Sequence, residues 1–507
     1  MIQQMSRRGF LGAAGLGAVA VGLSACSSAV DQAAAGPGGK KILTIVQGAD
    51  IAPATFFSQN NPNMSIARVV FNTLTEYDHR SLEPRPGLAT SWTADGTAIT
   101  LRLREDVVFH SGRPFTADDV IFALDNLRKP EIASQLKHVA MAVVKTEKKS
   151  DHELTITFAH PVSNVFDLFE IMIIPDRESI QDLLTGKRII GTGPFKVESY
   201  TPGQGLRLAR NDRYFKPVKL DGVDIKVINQ SQSMVASLRS GQAHLALDLA
   251  PLDAAALQGD GSFKVVVSDA FDMVFYLGSN VTVKPLDKKE VRQAVAYAVD
   301  RERILKQVLG GIGTVSSLPW APTSPAHDRA RLGTYTYDVA KAKALIKQAG
   351  AVGAKVDILY NAGLGTNAKI AEIVQFNLKE VGLNANPVPL QAPDFWARLT
   401  GDGLPGLFVN SHGFGHLDPA TLVKGAFPFN AEKNSSRFDS PEYRRLAEKI
   451  WKEPTPEIIS KVNDFLLDQQ FVSDLVTGSH TYTISTKVRG LSHTMFDYID
   501  LDDADLA

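Results

Sequence analysis

Few side chains in this chain of 507 residues have the type and spacing that covalent or metal chemistry requires. His412 and His416 stand four residues apart in a glycine-containing loop, where they can bind a metal or hydrogen-bond a ligand. Such a pair is a weak metal signal, and a structural or solvent-facing role is favoured. The chain has no His-Glu-x-x-His, no Gly-x-Ser-x-Gly, no P-loop and no dinucleotide-binding glycine motif after a strand. The sequence therefore predicts no catalytic residue, no metal centre and no cofactor.

Cys26 is the single cysteine and closes the run Leu23-Ser24-Ala25-Cys26. This pattern resembles the lipobox of bacterial lipoproteins, in which the cysteine is acylated and cleavage falls just before it. If Cys26 is acylated, no disulfide can form and no thiol is left as a metal ligand or nucleophile. The resemblance implies that a lipid at Cys26 anchors the protein to a membrane.

The residues before Cys26 look like a twin-arginine export signal, with Arg7 and Arg8 ahead of the apolar run 11–23. A helix of that length spans about 20 Å, less than the roughly 30 Å hydrocarbon core of a bilayer. Residues 1–25 are therefore predicted to be a signal peptide and not a spanning helix. The expected location is the periplasm or the cell surface, after export in the folded state.

The amino-acid composition limits the possible binding partners and the number of lobes. Removing Arg7 and Arg8 from 54 basic residues leaves 52 against 55 acidic ones, a net charge of −3. That balance gives no electrostatic footprint for nucleic acid. Residues 26–40, rich in Ser, Ala and Gly, are predicted to be a flexible tether with a reach of roughly 20 Å. The rest of the chain exceeds what one core usually holds, which predicts two or three lobes.

Periodicity and capping signals predict an α/β body. Helix and strand alternate in the second half of the chain, which favours a partly parallel sheet, and prolines place its last strand near an edge. The predicted elements are a strand from Lys41, a hairpin over Ser91–Arg104, a helix capped by Thr116 and Asp119, helices capped by Asp287, Asp300 and Asp338, a strand over 355–360, a helix over 366–381 and a strand over 383–390.

Four stretches, in order, resemble the family 5 extracellular solute-binding proteins, the peptide, nickel and opine receptors of ABC importers. They are Val70–Asp78 with Pro86–Trp92, Leu101–Val120, Gly191–Phe195 with Asn211–Phe215, and Val291–Arg301. The resemblance implies a two-lobed, hinge-linked periplasmic-binding-protein-like α/β fold of type II, cluster C. It places lobe I at 41–68, 190–265 and 474–507, an extra domain at 69–189, and lobe III at 270–473.

The same resemblance implies a function by lobe closure. A solute that touches both lobes makes more contacts in the closed form and shifts the population toward it. The expected partners are a small-molecule solute and the permease and ATPase subunits of an ABC transporter, with the receptor a monomer. A lipid-anchored sensor or peptide chaperone on the same fold is one alternative, and an enzyme is the least favoured one.

Seven residues are candidates for the solute site. The family pattern implies that the loop holding His412, Phe414 and His416 reaches the cleft and that the loop holding Trp320 approaches it, with core packing as the alternative for Phe414 and Trp320. Trp396 begins a short predicted helix, a pattern that serves mostly for packing in the family. The other two are polar residues at strand ends, Asp50 and Asn280.

The loop before Asp418-Pro419 lacks the acid with which peptide-binding members of the family meet an α-ammonium group. An enclosed ammonium without a counter-charge costs several kcal/mol. The sequence therefore favours a neutral or anionic solute, and Asp418 is interpreted as a turn former.

Overall fold

The computed structural model describes residues 39–58, 63–132, 134–270, 273–401 and 403–507. Arg7, Arg8 and Cys26 lie outside these ranges, as does nearly all of the predicted tether, so export and acylation stay predictions. Within the described ranges, no helix is both long and apolar enough to cross a membrane.

One lobe is organised by a mixed sheet of seven strands. Its central strand, Ile42–Gln47, is buried from Leu43 onward and runs parallel to both of its neighbours. The remaining pairings are antiparallel. From edge to edge the strands are Phe263–Val267, Thr481–Ser485, Leu245–Leu247, Ile42–Gln47, Gly222–Val227, Gly205–Arg210 and Phe195–Thr201.

A second lobe is organised by a sheet of six strands. Lys355–Asn361 runs parallel to Asn384–Leu390 and to Leu407–His412, which confirms the predicted parallel pairing. Asn384–Leu390 forms an edge of the sheet. Proline has no N–H to donate, and in an edge strand the missing donor costs few hydrogen bonds between strands. From edge to edge the strands are Thr314–Val315, Val472–Gly478, Met273–Ser279, Leu407–His412, Lys355–Asn361 and Asn384–Leu390.

The chain passes directly between the two sheets twice, after Val267 and after Gly478. Because Val472–Gly478 pairs with Met273–Ser279, it belongs to the six-stranded sheet. We therefore propose that lobe III ends near residue 478 rather than at 473. The other predicted domain boundaries stay predictions.

A four-stranded antiparallel sheet forms the body of the segment between the first strand and residue 190. The predicted hairpin is confirmed, with Ala89–Asp95 paired to Ala98–Leu103 and Gly96 at a φ of +60° in the turn. Glu153–Phe158 and Val143–Ser150 complete the sheet. Short strand pairs join Thr75–Tyr77 to Pro84–Pro86, Ser492–His493 to Ile499–Asp500, and Val488–Arg489 to Asp505–Leu506.

The helices mostly begin where their capping signals indicate. The Thr116 backbone N–H donates to the Asp119 carboxylate at 3.0 Å, and Asp300 and Asp338 each accept from a backbone N–H three residues on. The cap predicted at Asp287 is wrong, because that helix begins at Lys289. In the described part of the chain, the α-helices are Met64–Ala67, Ala117–Arg128, Lys137–Met141, Val165–Ile171, Ile180–Leu184, Ser231–Arg239, Pro251–Ala255, Lys289–Ala298, Arg301–Gln307, Val339–Gln348, Gly365–Glu380, Ala392–Thr400, Pro419–Gly425, Pro441–Lys452 and Pro456–Gln469, and 3-10 helices span Pro53–Ser58 and Arg177–Ser179.

Candidate functional site

The loop after the strand Leu407–His412 carries Phe414 and His416 toward the other lobe. Phe414 has a φ of +67°, the left-handed conformation, and this turns the chain sharply. At Gly415 a Cβ would lie 2.2 Å from the carbonyl oxygen of Pro319, and the Gly415 carbonyl accepts from the Ala321 N–H at 2.7 Å. The shape of this loop therefore depends on glycine at position 415.

Phe496 is the partner of both loop side chains. Its ring centroid lies 5.9 Å from that of Phe414 and 4.8 Å from that of His416. Its neighbour Asp497 accepts from the hydroxyl of Tyr482, which lies in the seven-stranded sheet. Phe414 is 5% exposed and His416 is fully buried. The two lobes therefore meet through aromatic rings here, and a solute can reach these rings only when the lobes separate.

A buried acid, Asp167, contacts the helix that follows this loop. Asp167 and Glu170 lie on the helix Val165–Ile171, three residues apart and therefore on one face. The Tyr77 hydroxyl donates to Asp167 at 2.7 Å, and its backbone N–H donates to Glu170. The Thr421 hydroxyl, from the helix that follows the loop, also donates to Asp167. These contacts join the extra domain to the six-stranded lobe.

Burial changes the protonation of this acidic cluster. Burial, together with the nearby Asp167 carboxylate, raises the pKa of Asp418 to about 7. Burial also raises the pKa of Glu170 to about 8, against the attraction of Arg68. The pKa of Asp167 is raised by burial and held back by its hydrogen bonds and by His416. The cluster therefore holds protons near neutral pH, and a cation placed beside it would favour the ionised carboxylates.

Asp167 and Glu170 are not among the residues predicted from the sequence for the solute site. Their signal was two acids inside the apolar run Val165–Ile171, where an unpaired charge is unfavourable. Asp418 does cap the helix Pro419–Gly425, accepting from the Ala420 N–H at 2.8 Å, which confirms its turn-forming role.

His412 faces the interior of its own lobe. Its Nδ1–H donates to the Gly413 carbonyl at 2.7 Å, and its Nε2 lies 3.9 Å from the carboxylate of Asp474. Both side chains are almost fully buried, and burial raises the pKa of Asp474. Tyr276 and Phe429 flank the imidazole. His412 and His416 thus point to different surroundings, and neither joins a group of three potential metal ligands within the described ranges.

The two predicted polar contacts both hold turns. Asp50 accepts from the Tyr200 hydroxyl at 3.0 Å and from the Gly203 N–H at 2.7 Å, so it fixes a hairpin of the seven-stranded sheet. Asn280 is buried, donates to the Leu404 carbonyl at 2.8 Å and accepts from Thr282. Because these hydrogen bonds account for both side chains, neither residue is included in the proposed solute site.

The two predicted tryptophans have different surroundings. Trp320 is 1% exposed, and its indole N–H donates to Asn463 at 2.6 Å, so packing and this hydrogen bond account for it. Trp396 is 43% exposed on the helix Ala392–Thr400, beside the buried Phe395. Of the seven predicted residues, the structure brings together only Phe414 and His416 at the contact between lobes.

Known proteins resemble the chain over most of its length. Residues 83–432 match the family described as bacterial extracellular solute-binding proteins, family 5 Middle. Di/tripeptide-binding protein 1 of Pseudomonas aeruginosa (strain UCBPP-PA14) is 30% identical over 371 residues, covering 66% of this chain and 68% of that protein.

Two solved structures share the fold at 21% identity. The periplasmic binding protein AgaA of A. tumefaciens R10, in complex with agropinic acid, has a TM-score of 0.81 and covers 92% of this chain and 99% of its own. The dipeptide-binding protein of Pseudoalteromonas sp. SM9913, in complex with Met-Leu, has a TM-score of 0.80 and covers 92% and 100%. The predicted periplasmic-binding-protein-like α/β fold is confirmed, and the chain belongs to the family 5 bacterial extracellular solute-binding proteins.

Proposed function

We propose that this solute-binding component of an ABC importer captures a small peptide-like solute that carries a free amino group. The observation that supports this is the position of the buried Asp167 and the half-buried Asp418 beside the aromatic loop where the lobes meet. Lobe closure on such a solute would place its ammonium group near carboxylates and its apolar part against Phe414 and Phe496. The permease and ATPase subunits would then receive it.

This proposal revises the solute class favoured by the sequence. The loop before Asp418 contains no acid, but the helix Val165–Ile171 brings Asp167 beside Asp418. An ammonium group enclosed there would stabilise the ionised carboxylates, whereas an anionic group would oppose their ionisation. The di/tripeptide-binding relative from Pseudomonas aeruginosa agrees with an amine-bearing solute.

We extend the proposal to the location of the protein. Export through the signal containing Arg7 and Arg8, followed by acylation of Cys26, would hold a monomeric receptor at the periplasmic or outer face of a membrane. The extracellular character of the family supports it. Replacement of Cys26 by serine should move the protein from the membrane fraction to the soluble fraction, and unchanged membrane retention would contradict the anchor.

The solute itself can be identified by native mass spectrometry of residues 40–507, purified from rich medium without refolding. We expect an adduct of a few hundred daltons that is lost on denaturation. Calorimetry then compares the dipeptide Met-Leu with N-acetyl-Met-Leu, which lacks the ammonium charge. Tighter binding of the free dipeptide supports the proposal, and equal binding of the two, or tighter binding of the acetylated one, refutes it.

Two variants test whether the preference for the free amino group comes from the acidic cluster. Asp167→Asn and Asp418→Asn should each reduce the preference for the free amine, because each removes one carboxylate beside the loop. Asp125→Asn makes the same change at an exposed position of the extra domain and should leave the preference intact. Equal preferences in all variants would place the ammonium elsewhere.

A further inference from the structure

A separate cleft of about 510 Å³ lies between the extra domain and the lobe of the seven-stranded sheet. Its walls come from the Thr75–Tyr77 hairpin, from the segment after Phe263–Val267 and from the Ser492–His493 hairpin. The residues lining it include none from the six-stranded sheet. Its lining includes neither Phe414 nor Phe496, although Thr494 of the lining accepts a hydrogen bond from the Phe496 N–H.

Three side chains with metal-ligating atoms converge on this cleft. His79 Nδ1 lies 3.0 Å from Asp269 Oδ1, and His493 Nε2 lies 3.6 Å from the same oxygen. All three ligand atoms lie within 4.8 Å of one another, and this is the one such group within the described ranges. Ligands bound to zinc at ~2.0–2.1 Å in a tetrahedron stand ~3.3–3.4 Å apart. The two measured distances bracket that value.

The hydrogen bond of His493 sets its tautomer for metal binding. Its Nδ1 lies 3.1 Å from the Thr494 carbonyl, which can only accept, so the proton is on Nδ1. The Nε2 lone pair then faces the Asp269 carboxylate, and a cation bound between them would remove their repulsion. Metal-ligating histidines usually donate their other N–H to such a group. The Tyr482 ring stacks on the imidazole at 5.6 Å and fixes its plane.

Access also suits a cation. The other acids of the cleft add little charge, because Glu76 pairs with Arg68 and burial raises the pKa of Glu170 and of Asp500. The Asp269 side chain is 64% exposed, which leaves a path for ion entry and room for a water ligand. Two imidazoles with one carboxylate suit first-row transition metals, whereas Mg²⁺ and Ca²⁺ prefer all-oxygen sites.

We propose that His79, Asp269 and His493 form a binding site for a divalent transition metal such as Zn²⁺. Asp269 lies between Phe263–Val267 of one sheet and Met273–Ser279 of the other. A metal there would tie the extra domain to a segment that connects the lobes. None of its three ligands is proposed to contact the solute, so the metal site does not depend on the identity of the solute.

The test is titration of the EDTA-treated exported protein with Zn²⁺ by calorimetry, and with Co²⁺ followed by its visible ligand-field spectrum. We expect one equivalent of Zn²⁺ to bind and Mg²⁺ not to compete. His79→Ala and Asp269→Asn should each weaken binding by ~100-fold or more, since removing a ligand costs at least as much as removing a residue that orients one. His160→Ala, a change at a histidine outside the group, should not weaken it.

Folding controls keep the result interpretable. His79 and Asp269 are partly or largely exposed, so their variants should match the metal-free protein in thermal stability and differ from the wild type only when Zn²⁺ is added. Absence of stoichiometric binding would overturn the proposal. Binding that survives both substitutions would overturn it equally, because the ion would then lie elsewhere.

Discussion

Replacing Phe496 by alanine removes the partner of both Phe414 and His416 in one change. The two ring pairs, at 5.9 Å and 4.8 Å between centroids, connect the lobes and form when the lobes are closed. If the empty receptor is mostly open, these contacts stabilise the bound state alone. The substitution should therefore weaken solute binding more than it weakens the fold of either lobe.

The size of the effect follows from the two contacts. An aromatic pair contributes about 0.5–1.5 kcal/mol beyond its buried area, so two pairs contribute about 1–3 kcal/mol. Since about 1.4 kcal/mol changes a dissociation constant tenfold, Phe496→Ala should raise Kd by about 5- to 150-fold. Phe496→Leu, which keeps most of the apolar volume, should have a smaller effect.

Calorimetric titration with the solute identified by native mass spectrometry measures this change. Phe376→Ala is the matched control, because Phe376 is 59% exposed on the helix Gly365–Glu380, away from the contact between lobes. A thermal melt of each empty variant checks the fold. An unchanged Kd for a folded Phe496→Ala protein would refute the idea that these rings form part of the closing surface.

Three further predictions concern other contacts. Trp320→Phe should lower the free energy of unfolding by ~1–3 kcal/mol, measured in urea, because it leaves the buried Asn463 oxygen without its donor, while Kd stays unchanged. Burial raises the pKa of Glu170 to about 8, so the native state keeps a proton that the unfolded chain releases above about pH 4.5. The melting temperature should therefore fall as the pH rises from 5 to 8, and it should fall less in Glu170→Gln. Gly415→Ala forces a Cβ to 2.2 Å from a carbonyl oxygen and should destabilise the protein by ~1–3 kcal/mol and weaken solute binding, whereas Gly333→Ala meets no atom within 4 Å and should do neither.

Much of the fold follows from local signals in the sequence. The Asp95-Gly96 turn, the Thr116 and Asp338 caps and the proline-bearing edge strand each act over a few residues, so they can be recognised without knowing the tertiary structure. The cap predicted at Asp287 was wrong because an acid that precedes a helix can also belong to a turn, and the local sequence does not distinguish the two. The sheet to which the strand Val472–Gly478 belongs could not be predicted, because it depends on the strands that pair with it and not on its own residues.

The site depends on contacts that the sequence does not specify locally. Thr421 meets Asp167 across 254 residues, and Trp320 finds its acceptor Asn463 143 residues away. An aromatic residue in a rigid loop can form either a cleft wall or a core contact, and only the position of a distant partner decides which. Phe414 was a candidate because the loop that carries it resembles the family pattern, and its contact with the solute stays a prediction.

Hydrogen–deuterium exchange with mass spectrometry tests the central claim most directly, by comparing the receptor loaded with its co-purified solute and the same protein stripped of it. If the lobes close on the solute at the aromatic contact, the loop 413–418 and the turn 494–498 should both exchange more slowly in the loaded protein. Slower exchange in only one of these segments, or in neither while native mass spectrometry shows the solute bound, would contradict the account.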